Sequence, residues 1–343
     1  MFHSHDAIVL GHGLAGAAFA RVCHQRARRV AVLHEPRPGE ASLAAAALVN
    51  PVVVRRILPS WRAATLLPIA QQYYQQAEAL HGARFWHPVP LDTVFPNTDV
   101  ADQWHRRRHD DDLAAFIGEA GPAPHSVQQP HGAGRVQVCA WLDVRAYLTA
   151  ERERLAASGD LLPTGTLVER TAHGFRAGPC TAPLLVHCTG AFTPRPGLVP
   201  VKGETIDLHI PGADLPHVWH RHVFILPLGD DRYRVGATFS WDHVWNGPSD
   251  EARQWLLDKV AAVLKPEVMA HARVVGQTCG VRPTTRDRRP ILGSIAPGEA
   301  ILNGLGVRGV MLAPWCAQHL ADHLFDGAPL DPEVDVARWA KAE

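Results

Sequence analysis

Apolar positions fall into two spacings along this chain. Residues 7–10 (Ala-Ile-Val-Leu) and 30–33 (Val-Ala-Val-Leu) are short continuous runs bounded by turn formers and charges, the pattern of strands covered on both faces. The alanine-rich stretch between them predicts a helix, so the chain opens strand, turn, helix, strand. Residues 61–80 read as a second helix, with Pro68 tolerated near its start and Gly82 closing it. Asp143 is placed to cap a helix that runs to Ala157, with Gly159 as its stop. Strands are expected at 166–170 and 184–188, and a strand-rich block at 201–208, 222–226 and 233–239. A helix from Asp250 to Leu264 is expected to end at Pro266, and a last strand at 300–303 leads into a helix through Leu324. Between Arg84 and Arg135 prolines, glycines and charges break the periodicity. There His105 to Asp112 reads as the solvated face of a short helix rather than a basic contact for nucleic acid.

Two turns between strand and helix carry chemistry. Gly11-His12-Gly13-Leu14-Ala15-Gly16 comes after the first strand, and Glu35 ends the second. The first glycine allows a tight turn, the second lets a pyrophosphate approach the backbone, and the third lets helix and sheet pack closely. Phosphate then meets the free N–H groups and positive end of the helix, and Glu35, about twenty residues on, can accept hydrogen bonds from an adenosine ribose. Gly304-Leu305-Gly306-Val307-Arg308-Gly309 repeats the spacing near the end. A second dinucleotide is not expected there, and an NAD(P)-linked reductase is disfavoured, because the residues after Leu324 are rich in Pro and Asp and offer no strand ending in an acid. That helix N-terminus suits another electron-rich group, such as the N1–C2=O edge of a flavin.

Composition narrows the classes. A chain of 343 residues suggests about two domains, and 46 % hydrophobic residues supply a substantial core. Thirty-four basic and thirty-four acidic side chains cancel, leaving no global field to gather nucleic acid or an anionic membrane. No run reaches the roughly 18 apolar residues of a membrane helix, and the amino terminus leads directly into a strand, so a cytoplasmic protein without a membrane partner is expected. Six dispersed cysteines show no CxxC pair and read as free thiols. His217, His220 and His222 invite a metal, but no acidic or cysteine partner stands near them. Packing or pocket lining is preferred, and no metal is expected.

Three blocks in order, residues 11–35, 280–293 (Gly-Val-Arg-Pro-Thr-Thr-Arg-Asp-Arg-Arg-Pro-Ile-Leu-Gly) and 303–324, resemble the D-amino-acid oxidase superfamily of FAD-dependent amine oxidases. Within it the chain is most similar to the glycine oxidase group and to the oxidase domain of the bifunctional tRNA-modifying enzyme MnmC. Residues 42–51, 188–190, 200–204 and 235–242 support the likeness, which covers nearly everything except about 86–135. It implies an α/β fold: a Rossmann-like FAD-binding domain of the glutathione-reductase type (1–84, 136–198 and 276–343) with an inserted α+β substrate domain on a mostly antiparallel sheet (85–135 and 199–275).

By that resemblance Gly11, Gly13, Leu14, Ala15 and Gly16 cradle the pyrophosphate, Glu35 holds the ribose, Val168 meets the adenine, and Thr189 and Gly190 line the adenosine side. Ser42, Ala46, Ala47 and Leu48 belong to the segment beneath the flavin, Ala47 standing where glycine oxidases usually have glycine. Gly306, Arg308, Gly309, Val310 and Met311 bring backbone donors to the pyrimidine edge. Arg282, in the Gly-x-Arg-Pro block, is implied to clamp a substrate carboxylate, a task that suits a planar guanidinium; the other reading is an ion pair to Asp287 or another acid. Arg234 stands where some members place a lysine for oxygen activation, and it also reads as a surface-facing strand residue. His222 is a pocket candidate, and Trp219, Trp241 and Trp245 either wall the pocket or pack the core. The spacing from Cys279 to Asp287 is one residue too long for covalent flavin attachment, so noncovalent FAD is expected.

The implied activity is oxidation of the C–N bond of a small amino acid or N-substituted amino acid by hydride transfer to flavin N5, with imine hydrolysis and reoxidation by oxygen or another acceptor. The alternatives are an MnmC-like oxidase acting on a carboxymethylaminomethyl group of tRNA and a non-catalytic FAD-binding module. Zero net charge and the lack of a methyltransferase domain in the sequence weigh against the tRNA reading.

Overall fold

The computed structural model describes residues 3–339, so the first two and last four residues of the expected FAD-binding segments lie outside it. A six-stranded sheet runs in the order Leu161–Leu162, Val30–Leu33, Ala7–Leu10, Leu184–His187, Glu299–Asn303, Ile291–Ala296. Its first five strands are parallel and the last is antiparallel to its neighbour. Alternation along each strand splits the core in two. Ala7, Val9, Val30 and Val32 face a helical layer, in which Leu14–Gln25 and Ala63–His81 both pack on Gly309–Asp326. Ile8, Ala31 and Leu33 face Phe175, Ala177 and Cys180 of a four-stranded sheet that covers the other side. The strands Ala7–Leu10 and Glu299–Asn303 are parallel and separated only by Leu184–His187. Both Gly-rich turns therefore leave the same edge of the sheet, about 10 Å apart, at the carboxyl ends where such sheets bind ligands.

An eight-stranded sheet forms the second layer, in the order Arg273–Thr285, Leu198–His209, Arg232–Gly236, Val223–Gly229, Val218–Arg221, Leu91–Val94, Ala133–Val136, Ile117–Glu119. All its pairings are antiparallel except Val218–Arg221 with Leu91–Val94. Arg273–Thr285 belongs to it along its whole length, so the boundary expected at 276 falls inside a strand. Residues 84–135 contribute three strands that broken periodicity concealed. The cause is Asp92, buried in the middle of Leu91–Val94 and held by Arg135, whose Nε and Nη2 donate to its carboxylate at 2.7 Å. A buried charge pair reads as surface in a hydropathy pattern. Nearby, Trp104 of the helix Thr98–Arg107 lies over Gly134, where a Cβ would overlap the indole.

Helix starts obey the capping chemistry. Asp143 accepts from the Ala146 amide at 2.9 Å and Ser249 from Ala252 at 3.2 Å, opening Val144–Ala157 and Asp250–Ala261. Pro266 corrects the expectation placed on it. The preceding helix has already stopped at Ala261, and Pro266 instead starts the short helix Pro266–Met269, where a missing N–H costs nothing.

Candidate active site and cofactor site

Between the two layers lies a cavity of about 640 Å³ lined by both. At one end stand Gly11, Gly13, Leu14, Ala15 and Glu35. Gly11 adopts φ +97°, and a Cβ on it would overlap the Cys188 carbonyl. Gly13 caps Leu14–Gln25 without a side-chain hydrogen bond, and the first turn holds no acid, so the helix's positive end faces the cavity uncompensated. The Ser42 hydroxyl accepts from the Leu14 amide at 3.1 Å. The Glu35 carboxylate accepts from the Gly165 amide and also lines the wall, as do Val168, Thr189 and Gly190. Gly16 is not a lining residue. A Cβ there would overlap the Gly11 carbonyl, so it permits the turn and helix to meet.

His12, between the two glycines, is buried with both ring nitrogens lacking a hydrogen-bond partner among the described residues. Burial, then the charges of Arg152, His34 and Arg154, push its pKa down to about 3, so its ring is neutral.

The middle of the cavity is walled by Ser42, Ala46, Ala47 and Leu48 on one side and by Gly306, Gly309 and Val310 on the other. Ala47 sits at φ +54°, a left-handed conformation that costs a residue with a Cβ roughly 1–2 kcal/mol. That is a physical reason for glycine at this place in related oxidases. Arg308 and Met311 do not reach the lining. Met311 is packed in the core; burial, then Arg288 and Arg289, lower the pKa of Arg308.

The far end rests on the large sheet. Thr205, Gly236, Phe224 and His220 are successive cross-strand partners and share one face, and all line the cavity with His222. His220 Nδ1 and Thr93 Oγ1 are 3.2 Å apart, and burial, then His222, lower the His220 pKa to about 4. His222 turns between two strands at φ +66°, its pKa lowered by burial, then Lys259, Arg221 and Arg55. His217 instead meets Asp92 at 3.6 Å outside the cavity.

Arg282 projects into this end. Its Nη1 donates to the Thr238 carbonyl at 3.1 Å and its guanidinium carbon lies 4.5 Å from the centroid of the Phe239 ring. No carboxylate among the described residues pairs with it, and burial lowers its pKa to about 10, leaving it charged at neutral pH. Asp287, the alternative partner, pairs with Arg338 at 2.8 Å. Of the two readings of Arg234 the geometry favours a strand residue away from the reacting end: it lies outside the lining, with Nε and Nη2 donating to Asp207 at 2.8 and 2.9 Å. Trp219 is core, while Trp241 and Trp245 are exposed. Residues 237–249, which carry Phe239, are pinned by reciprocal backbone bonds between Lys202 and Ser240 and by Lys202 Nζ, which reaches Glu204 and the Gly247 carbonyl at 2.7 Å.

Gly203, Thr205, Phe224 and Phe239 line the cavity although the sequence pattern gives none of them a role. The signal for the middle two is the strand register, which emerges only once the strands are paired.

Residues 6–323 match the family model described as DAO, FAD dependent oxidoreductase. The chain belongs to this family. It is 28 % identical over 330 residues to the tRNA 5-methylaminomethyl-2-thiouridine biosynthesis bifunctional protein MnmC of Maricaulis maris, a match covering 94 % of this chain and 52 % of that protein. The chain thus spans about half the length of such relatives. Among solved structures it resembles iminodiacetate oxidase from Chelativorans sp. BNC1 (TM-score 0.79, 22 % identity, 97 % of this chain and 98 % of that one). It resembles glycine oxidase from Geobacillus kaustophilus equally well (TM-score 0.79, 20 % identity, 98 % of each chain). These likenesses show a shared mixed α/β fold. Membership makes the chain an FAD-dependent oxidoreductase, and the cavity fits that cofactor. It has an uncompensated helix end beside a glycine cradle, an acid at the second strand, and a second glycine turn across the same sheet edge. No helix of the described residues is long and apolar enough to cross a membrane.

Proposed function

We propose that this chain oxidises the C–N bond of a small amino acid or N-substituted amino acid. The observation that carries the reading is Arg282, a half-buried guanidinium without an acidic partner among the described residues, in the cavity that the glycine turns also line. A substrate carboxylate would supply the missing charge and accept two parallel N–H bonds. FAD, held noncovalently by Gly11, Gly13, Glu35, Thr189, Gly190, Gly306 and Gly309, supplies the hydride acceptor when bound. The protein's task is orientation. Arg282 fixes the carboxylate end, and the Thr205–Phe224–His220 row is the floor against which the amine-bearing carbon is placed. Neither His220 nor His222 is positively charged at neutral pH, so nothing on this floor opposes an amine by charge. The released imine hydrolyses in water, and oxygen, giving hydrogen peroxide, or another acceptor completes the turnover.

Anaerobic mixing of the yellow holoprotein with glycine, sarcosine, proline, iminodiacetate and D-amino acids tests this. At least one is expected to bleach the visible band of the flavin, and no bleaching by any of them would sink the small-substrate reading. The similarity to MnmC over 94 % of the chain supports a second reading, oxidation of a carboxymethylaminomethyl group on tRNA. Arg282 serves either substrate. A gel shift with tRNA separates them, since absence of binding removes the second.

A further inference from the structure

The surroundings of Arg282 extend its reading as a carboxylate clamp, and the inference drawn from them rests on that reading. Gly203 pairs with Gly280, and the bridge between Lys202 and Ser240 sets Phe239 directly across from Gly203 on its other side. The Arg282 side chain starts two pairs along, opposite Val201 and so on the same face, and crosses the bare backbone of Gly203 to reach Phe239. A Cβ on Gly203 would overlap the guanidinium carbon and both terminal nitrogens of Arg282. The φ of Gly203 is not in the left-handed region, so the backbone there does not demand glycine. The space does. Phe239 is 56 % exposed, although burying such a ring would be favourable by about 1.5–3 kcal/mol. Its stacking on Arg282 is the contact that explains its place.

We propose that Gly203 and Phe239 are positioning residues for carboxylate recognition: Gly203 is the floor over which the Arg282 guanidinium lies, Phe239 the wall it stacks against, and the Thr238 carbonyl fixes one of its nitrogens. With floor, wall and one nitrogen occupied, the remaining N–H groups are presented to the cavity in one plane, which a carboxylate must match. Specificity for a carboxylate over a neutral isostere then depends on an alanine-sized gap.

The test uses holoprotein and methoxyacetate, a carboxylate that resembles sarcosine but lacks the amine, with binding read from perturbation of the flavin visible spectrum and flavin content measured alongside. Gly203→Ala is expected to retain flavin and weaken methoxyacetate binding at least tenfold, and Phe239→Leu at least threefold. With an oxidisable substrate the same factors should appear in KM, with kcat changed less than threefold, a split that general loosening would not produce. If Gly203→Ala loses flavin, Phe239→Leu, at an exposed position, decides. Arg282→Ala separates the two levels of inference. Should it abolish methoxyacetate binding while Gly203→Ala and Phe239→Leu bind normally, the positioning proposal is overturned and the clamp stands. Unchanged binding in Arg282→Ala overturns both.

Discussion

His12 shows at the scale of one residue how a motif position acquires a cost. Its glycine neighbours are explained by the turn, but an imidazole buried there must stay neutral, and its pKa falls from 6.5 to about 3. The folded pKa lies below the unfolded one, so as pH falls the unfolded chain takes up a proton near 6.5 that the folded ring refuses until about 3. Stability is therefore full above pH 6.5 and declines through that window, by a few kcal/mol if His12 acts alone. Urea unfolding between pH 7 and 4 should show a falling midpoint in the native protein and a shallower fall in His12→Asn. An equal slope in both would mean the ring titrates freely. The same scale explains why Arg282 was legible and Gly203 was not. An arginine announces its chemistry in its side chain, whereas a glycine that makes room for it announces nothing.

Elements carry the next level. Periodicity located the parallel strands and the long helices, because their environment is uniformly apolar. It also placed the Asp143 cap, since that side chain satisfies an amide that a helix start leaves free, but not the Ser249 cap. Asp143→Ala should lower stability by about 1 kcal/mol, measurable as a shift of the urea midpoint at constant m-value, and a neutral result would assign that amide to water. The pattern failed at Leu91–Val94 and at Pro266. In the strand a buried Asp92 is neutralised by Arg135, a residue 43 positions away, so the compensation is not local. Pro266 reads as a stop in the pattern, yet the same lack of an N–H that ends a helix also suits its first position.

For the whole molecule, the relevant link is the one between the large sheet and residues 237–249, which bring Ala237 and Phe239 to the cavity wall. Lys202 and Glu204 are buried beneath it, and Glu204 also accepts from the Ser249 amide at 2.9 Å and from Gln277 Nε2 at 2.9 Å. Replacing one member leaves an uncompensated buried charge. Glu204→Gln should cost about 3 kcal/mol and speed proteolysis around Trp241 and Trp245, while the double change Lys202→Met, Glu204→Leu should recover much of the stability. If Glu204→Gln unfolds like the native protein, the network does not hold this segment.

Taken by themselves, the residues pointed to an ADP-containing cofactor at the Gly11–Glu35 unit. They also placed the second glycine turn between a strand and a helix, and marked Arg282 as the side chain to which a carboxylate reading attaches. Those readings rest on backbone conformation, apolar periodicity and side-chain chemistry, all of them local properties. Only the tertiary structure decided that Arg282 has no acidic partner among the described residues, that Arg234 is taken by Asp207, and that Gly203 and Phe239 stand beside Arg282. Each of those facts depends on which strands become neighbours. That choice is made by burying two sheets' apolar faces at once, and it brings together residues whose spacing in the chain bears no relation to their distance in space.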